Sequence, residues 1–272
     1  MKLQSLPTPY QLTNRHLKQI NVVVIGAGGT GGYLIQALGR LHYGLNHVPT
    51  MPTLNVTIVD GDRVEEKNLL RQHFLPQDIG RPKATVLAER FGQIYGLGWD
   101  AVPNYLSAPD ELYDLASPQW DAIDVWIGAV DNHATRQILH DAFTRMRDII
   151  YIDLGNDAFD PDDPVVSGYS GQAVVGVRES GKTVLDPIGV VYPEVLTDTE
   201  SLHPLRACGV QAVSQPQRLI TNQWSAMVGL SLLNTLVATR TVRVHQVTFD
   251  AINDLMRPVY ADVPEAVVAQ SA

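Results

Sequence analysis

The chain has 272 residues, with 20 Lys+Arg against 29 Asp+Glu, a formal net charge of −9 and one cysteine. At roughly 150 residues per domain, that length allows one large or two small domains, and either can bury a real core. The acidic balance argues against coating nucleic acid by bulk charge. A lone cysteine excludes an internal disulfide and a cysteine-rich metal site, so a reducing compartment, the cytoplasm, is the expected setting.

The N-terminal MKLQSLPTPYQL lacks the apolar core of a signal peptide. The longest apolar stretch, Ser225–Val237, is shorter than the ~20 residues of a membrane span. In chain order, Asn21–Ile25 reads as a buried parallel strand that ends at glycines. Tyr33–Leu41 has helical spacing, and His42–Pro52 looks like an insertion before the strand Leu54–Val59. A helix is expected over Lys83–Tyr95, a strand over Asp124–Val130, a helix over Ala134–Met146 and a strand over Ile149–Leu154. This alternation predicts an α/β, Rossmann-like, doubly wound and mainly parallel sheet with helices on both faces.

The pattern then changes. Residues 155–207 are rich in Gly, Pro, Asp and Ser. They include two short alternating strands, Gly171–Val177 and Thr183–Val184, joined by a turn at Glu179-Ser180-Gly181. Asp186–Pro204 has no period and reads as a mobile crossover loop. Pro216–Val237 is an apolar helix, and Val242–Ala251 closes as a strand. The expected organisation is a single domain over residues 1–260 with a frayed tail at 261–272.

Gly26-Ala27-Gly28-Gly29-Thr30-Gly31 joins the first strand to the first helix. In that context a glycine turn lets backbone N–H groups approach a phosphate, and the helix adds its positive end. A ligand-free tight turn is the plainer alternative. Asp60 ends the second strand, where an acid accepts from a ribose. These features fit an NAD enzyme and a nucleotide-activating enzyme equally well. The first would need a hydride-transfer partner in the last third, where His203 and His245 stand without a supporting constellation.

The next segment separates the two. Asp60-Gly-Asp62-Arg-Val-Glu65-Glu-Lys-Asn68-Leu-Leu-Arg71-Gln72 is followed by Lys83-Ala84 and then Asp131-Asn132. Taken in order, these elements and the glycine cluster resemble the ThiF/MoeB/HesA superfamily of ubiquitin-activating-enzyme-like adenylating proteins. The likeness is good over residues 15–155 and looser beyond. Its absent zinc cysteines, compact size and insertion look most like the ThiF-related proteins of a plasmid cassette, the ParB-related, ThiF-related cassette (PRTRC).

The resemblance implies ATP-dependent adenylation of the C-terminal carboxylate of a small ubiquitin-like protein, giving an acyl-adenylate and pyrophosphate. It implies ATP and Mg²⁺ as cofactors and a homodimer. Many relatives bind zinc through two Cys-x-x-Cys pairs, which one cysteine cannot supply, so no zinc is expected, and the charge and apolar stretches lead to no nucleic-acid or membrane partner. Gly26, Gly28, Gly29, Gly31, Asp60, Asp62, Asn68, Arg71, Gln72 and Lys83 would hold the nucleotide. Arg71 and Lys83 would meet phosphate charge as a forked donor and a point charge. Asp131 would hold Mg²⁺. Arg15 would reach a phosphate, across the dimer in many relatives. Cys208 is the sole thiol available for a thioester, or else a small buried residue. Plainer roles stand beside these. Arg71 could pair with Asp62 or Glu65, Lys83 could be solvated, Asn68 could cap a short helix, and Asp131 could cap the helix that follows it. A non-catalytic scaffold of the same fold is the remaining alternative.

Overall fold

The structure is a computed structural model that describes residues 7–13, 17–117, 119–199 and 217–262. Arg15 and Cys208 therefore lie outside the described residues, as do His203 and residues 263–272 of the expected tail. In chain order the strands and helices are β1 (Tyr10–Gln11), β2 (Gln19–Ile25), α1 (Gly29–Leu45), β3 (Thr53–Val59), α2 (Lys83–Leu87), β4 (Asp100–Val102) and α3 (Asp110–Tyr113). There follow β5 (Ala122–Gly128), α4 (His133–Arg145), β6 (Ile149–Asn156), β7 (Ser170–Glu179), β8 (Lys182–Leu185), α5 (Ile188–Val191), α6 (Glu194–Thr197) and α7 (Leu219–Thr239). The C-terminal strands are β9 (Thr241–Val242), β10 (Val244–Asp250) and β11 (Leu255–Tyr260).

One large sheet organises the chain, in the order β11-β10-β7-β6-β5-β2-β3-β4, with β8 paired to β7. Strands β4, β3, β2, β5 and β6 are mutually parallel. From β6 through β7 and β10 to β11 the pairing is antiparallel. The sheet is thus mixed, with the expected parallel half carrying the nucleotide motifs and an antiparallel half completing it.

Both faces of the central parallel strands β2, β5 and β6 are buried, which explains their nearly unbroken apolar runs, whereas β3 alternates and β4 is partly exposed. Side chains alternate across a strand. Val22 and Val24 of β2, Val125 and Ile127 of β5, and Ile150 and Ile152 of β6 join a core that includes α1 and α7 residues. Val23, Ile25, Trp126, Ile149 and Tyr151 point to the opposite core, which includes Leu139 and Phe143 of α4, Ile188 of α5 and Val195 of α6. The apolar residues named here therefore have a covering layer on each face.

The elements differ from expectation in several places, β4, α3 and β11 being additions. Helix α1 runs on to Leu45, so the insertion contributes its first residues to the helix. The helix from Lys83 continues beyond Leu87 as a π segment over Ala88–Gly92. Strand β5 ends at Gly128, two residues before Val130. The stretch from Asp186 is not a structureless loop as far as residue 199. It forms α5 and α6, whose buried Ile188 and Val195 hold it against the α4 layer. At the chain's end, β11 pairs with β10, and Ala261 is buried with its N–H donating to the Arg243 carbonyl at 3.0 Å.

Candidate functional site

Strand β2 is flanked by β3 on one side and β5 on the other. The chain leaves β2 in one direction, through β3 and β4, and returns to build β5 on the opposite side. Such a reversal opens a crevice at the carboxyl ends of the strands, where α/β sheets bind ligands. The glycine turn, Asp60 and Asp131 follow β2, β3 and β5 respectively, so all three stand at that edge.

The turn is shaped by close approach. Gly26 has φ +101°, and a side chain there would meet the Ala129 carbonyl oxygen at 2.5 Å. A side chain on Gly31 would lie 1.9 Å from the Gly26 carbonyl oxygen. These two glycines close the strand-to-helix turn and seat it against the end of β5. Gly28 is the N-cap of α1, and no side chain caps the helix. Its first N–H groups and positive end therefore face the crevice.

Asp60 braces the turn. Its Oδ2 accepts from the Ala27 N–H at 2.6 Å and its Oδ1 from the Asp62 N–H at 2.7 Å. Each oxygen retains a lone pair for a ribose hydroxyl. Burial pushes the Asp60 carboxyl up to about 6, against the charge of nearby Lys83. Lys83 heads α2 and is only 7% exposed, with its Nζ 2.8 Å from Asp62 Oδ2. The Tyr105 hydroxyl donates to Asp62 Oδ1. Burial pushes Asp62 up, but Lys83 and the Tyr105 hydrogen bond outweigh it and hold the carboxyl below its usual range. Lys83 is therefore not the solvated lysine of the plainer reading. It is a buried cation paired with Asp62, and its charge also bears on Asp60.

The helical turn Glu66–Leu70 presents the next residues. Asn68 is buried, and its Oδ1 accepts from the Glu65 N–H at 2.8 Å, so the capping role is real. Arg71 ends that turn and is partly buried. Gln72 reaches toward Gly28, its Nε2 lying 3.9 Å from where a side chain would begin, and its buried Oε1 has no hydrogen-bond partner among the described residues.

The capping alternative for Asp131 is decided by its neighbour. Asn132, not Asp131, caps α4, its Oδ1 accepting from the Thr135 N–H at 2.8 Å. Asp131 is exposed. Behind it lies a network that the motifs did not reveal. Arg136, on the first turn of α4, pairs with buried Asp153 at 3.1 Å and donates to the Val130 carbonyl at 2.8 Å. Burial disfavours the Arg136 charge, and Asp153 more than offsets it. The Tyr151 hydroxyl donates to Asp153 at 2.6 Å. The only sequence signal was an arginine one helical turn beyond the cap, on the inward face of α4.

The residues fit a bound Mg²⁺. Among the described residues no three His, Cys, Asp or Glu side chains gather as a metal cage. Mg²⁺ needs no such cage, since one or two carboxylates, water and substrate phosphates suffice. Asp131 is exposed and excused from capping, as that requires. His245, considered for hydride transfer, is on β10 and bonds to the Asp186 carbonyl at 2.9 Å. Strand β10 is four places from β2, about 19 Å across the sheet, too far to serve the crevice.

The fold and crevice define a Rossmann-like nucleotide-binding protein. The chain belongs to the ThiF family, whose profile matches residues 5–254. It is 34% identical over 128 residues to the sulfur carrier protein adenylyltransferase of Thermus thermophilus, covering 46% of this chain and 42% of that protein. It is 27% identical over 223 residues to the tRNA threonylcarbamoyladenosine dehydratase of Haemophilus influenzae, covering 80% and 75%. Among solved structures it resembles E. coli MccB with ATP, at a TM-score of 0.60 and 14% identity over 92% of this chain and 66% of MccB. That last likeness shows the fold. Among the described residues no helix is long and apolar enough to cross a membrane.

Proposed function

We propose that this protein adenylates the C-terminal carboxylate of a small, ubiquitin-like protein at the expense of ATP. The observation that carries the reading is Lys83, a buried lysine held on Asp62 at 2.8 Å, whose charge bears on Asp60, the carboxylate that accepts from the glycine turn at the Ala27 N–H. A fixed cation and a helix N-terminus facing one crevice suit polyphosphate. A hydride-transfer site has no need of such a lysine.

A carboxylate oxygen attacks the α-phosphorus. The bond from that phosphorus to the bridging oxygen breaks, and pyrophosphate leaves with the bond's electron pair. The nucleophile is already ionised, so no general base is required. The chain's work is to orient the phosphates and meet the charge that builds on them. Asp60 accepts from the ribose and braces the turn. The α1 N–H groups, Lys83 and Arg71 face phosphate oxygens, and Asn68 and Gln72 complete the nucleotide wall. Mg²⁺ held by Asp131 would neutralise phosphate charge. Arg15, reaching the site from a second copy in a homodimer, and Cys208, as a thioester acceptor, extend the proposal.

Relatives support a protein substrate, one of them being named a sulfur carrier protein adenylyltransferase. The Haemophilus influenzae relative, matched over 223 residues, is named for a tRNA nucleoside. The net charge of −9 weighs against a tRNA-borne carboxylate. The test is exchange of labelled pyrophosphate into ATP with Mg²⁺ and either ubiquitin-like proteins or threonylcarbamoylated tRNA. Exchange that depends on the protein partner is expected. Exchange with the tRNA alone, or with neither, overturns the reading.

A further inference from the structure

Helix α7 is apolar on nearly every side, yet it begins with polar residues that are buried. Asn222 is 0% exposed and Thr221 likewise. Asn222 Oδ1 accepts from the Thr30 hydroxyl at 3.1 Å and from Asn156 Nδ2 at 2.9 Å. Asn156 Nδ2 gives its other hydrogen to Thr30 Oγ1 at 2.8 Å. Three segments distant in sequence, the first turn of α1, the end of β6 and the start of α7, thus close one triangle of hydrogen bonds.

The other end of the Asn222 amide is the informative one. Its Nδ2 is buried and has no hydrogen-bond partner among the described residues, and Asn156 Oδ1 is in the same state. A side chain added to Gly29 would lie 2.3 Å from that nitrogen, so the amide rests against the Gly29 backbone. An unpaired buried donor is unfavourable, and such a group asks for an explanation. Here it sits beside the first residue of α1, where uncapped N–H groups gather. The N–H dipole of Asn222 has the same sign as the helix end and strengthens attraction for an anion in the turn.

We propose that Asn222 is a positioning residue for the nucleotide turn, fixing Gly28–Gly29 against α7 and β6. It packs against Gly29 from the α7 side, beside an N-cap glycine that offers no side chain to hold the turn. The proposal rests on the adenylation reading only in naming ATP as the anion. The start of α7 is itself anchored. The Arg218 guanidinium lies 4.0 Å from the Tyr169 ring centre and 4.8 Å from that of Phe159, and Arg218 Nε donates to the Ser167 carbonyl at 2.8 Å. The Thr221 hydroxyl donates to the Gly168 carbonyl at 2.6 Å. A shift of this anchored end would be transmitted through Asn222 to the turn.

The test is a double-mutant cycle on the contact. Gly29→Ala drives a methyl into the Asn222 amide, while Asn222→Ala removes that amide and opens room for the methyl. Kd for a non-hydrolysable ATP analogue is measured by calorimetry, with KM for ATP and kcat from pyrophosphate exchange. Each single variant should weaken nucleotide binding about tenfold, with KM moving more than kcat, and the double variant should bind better than Gly29→Ala alone. Unchanged Kd in Asn222→Ala, or no recovery in the double variant, overturns the proposal. The outcomes separate from the reading above. A wild type that binds the analogue without exchange defeats adenylation and leaves the cycle readable. A wild type that exchanges normally beside an unaltered Asn222→Ala defeats this inference alone. A wild type that binds no nucleotide defeats both.

Discussion

Lys83 Nζ lies 2.8 Å from Asp62 Oδ2, the lysine side chain 7% exposed and the aspartate 46%. The cation is held by Asp62, and little of its side chain is left exposed. Lys83→Met should lower pyrophosphate exchange by about 100-fold, in line with losing one placed donor at a charge-building site. A Lys83→Arg variant should recover little, because a planar fork does not fill the space of a point charge. Full exchange in Lys83→Met would remove the residue from the site.

Asp60 supplies a pH prediction. Burial raises its carboxyl to about 6, with Lys83 opposing the rise. The folded value lies above the unfolded one, near 3.9. This group's contribution to stability is therefore greatest in acid and declines as pH rises through about 6. Nucleotide binding has the opposite sense, because it uses the ionised acceptor. ATP affinity should fall as pH drops below about 6, and Asp60→Asn should flatten that profile. Calorimetry between pH 5 and 8 reads both. In Lys83→Met the inflection should move to higher pH, since the opposing charge is gone.

Asp131 and Asn132 are adjacent and should behave differently. Asp131→Ala should abolish Mg²⁺-dependent exchange with no change in Tm, because its side chain is exposed and caps nothing. Asn132→Ala should cost about 1 kcal/mol of stability through the lost cap, measured by urea unfolding, and retain most of the exchange. The reverse pattern would mean that their roles have been exchanged.

The Arg136–Asp153 pair should be structural in energy and positional in effect. Replacing Asp153 with Asn leaves a buried guanidinium without its counter-charge, at a cost of about 3–5 kcal/mol. Arg136 also holds the Val130 carbonyl at 2.8 Å, next to Asp131. The surviving folded fraction of Arg136→Met should therefore show a raised Mg²⁺ requirement in the exchange assay. An unchanged urea midpoint in Asp153→Asn would contradict the burial argument.

The parallel half of the sheet was legible because strands buried on both faces are written as unbroken runs such as Val22–Ile25. The motif residues from Asp60 to Lys83 were legible because their spacing is local. Their pairings were not. Nothing in the chain states that Lys83 meets Asp62, 21 residues earlier, rather than water, or that Asn132 takes the cap and leaves Asp131 exposed. Helices α5 and α6 have four residues each, too short to show a period. Strand β11 is exposed along nearly its whole length, so it carries no alternation to read.

By itself the sequence determined the ThiF motifs, the doubly wound half of the fold and the absence of a second cysteine. Those are properties of residue identity and short-range spacing. Tertiary structure alone decided which carboxylate holds the lysine, that Asn132 rather than Asp131 caps α4, and that Asn222 lies against Gly29. Each depends on a contact between segments far apart in the chain. The strength of such a contact comes from mutual burial, which no single segment possesses before the chain folds.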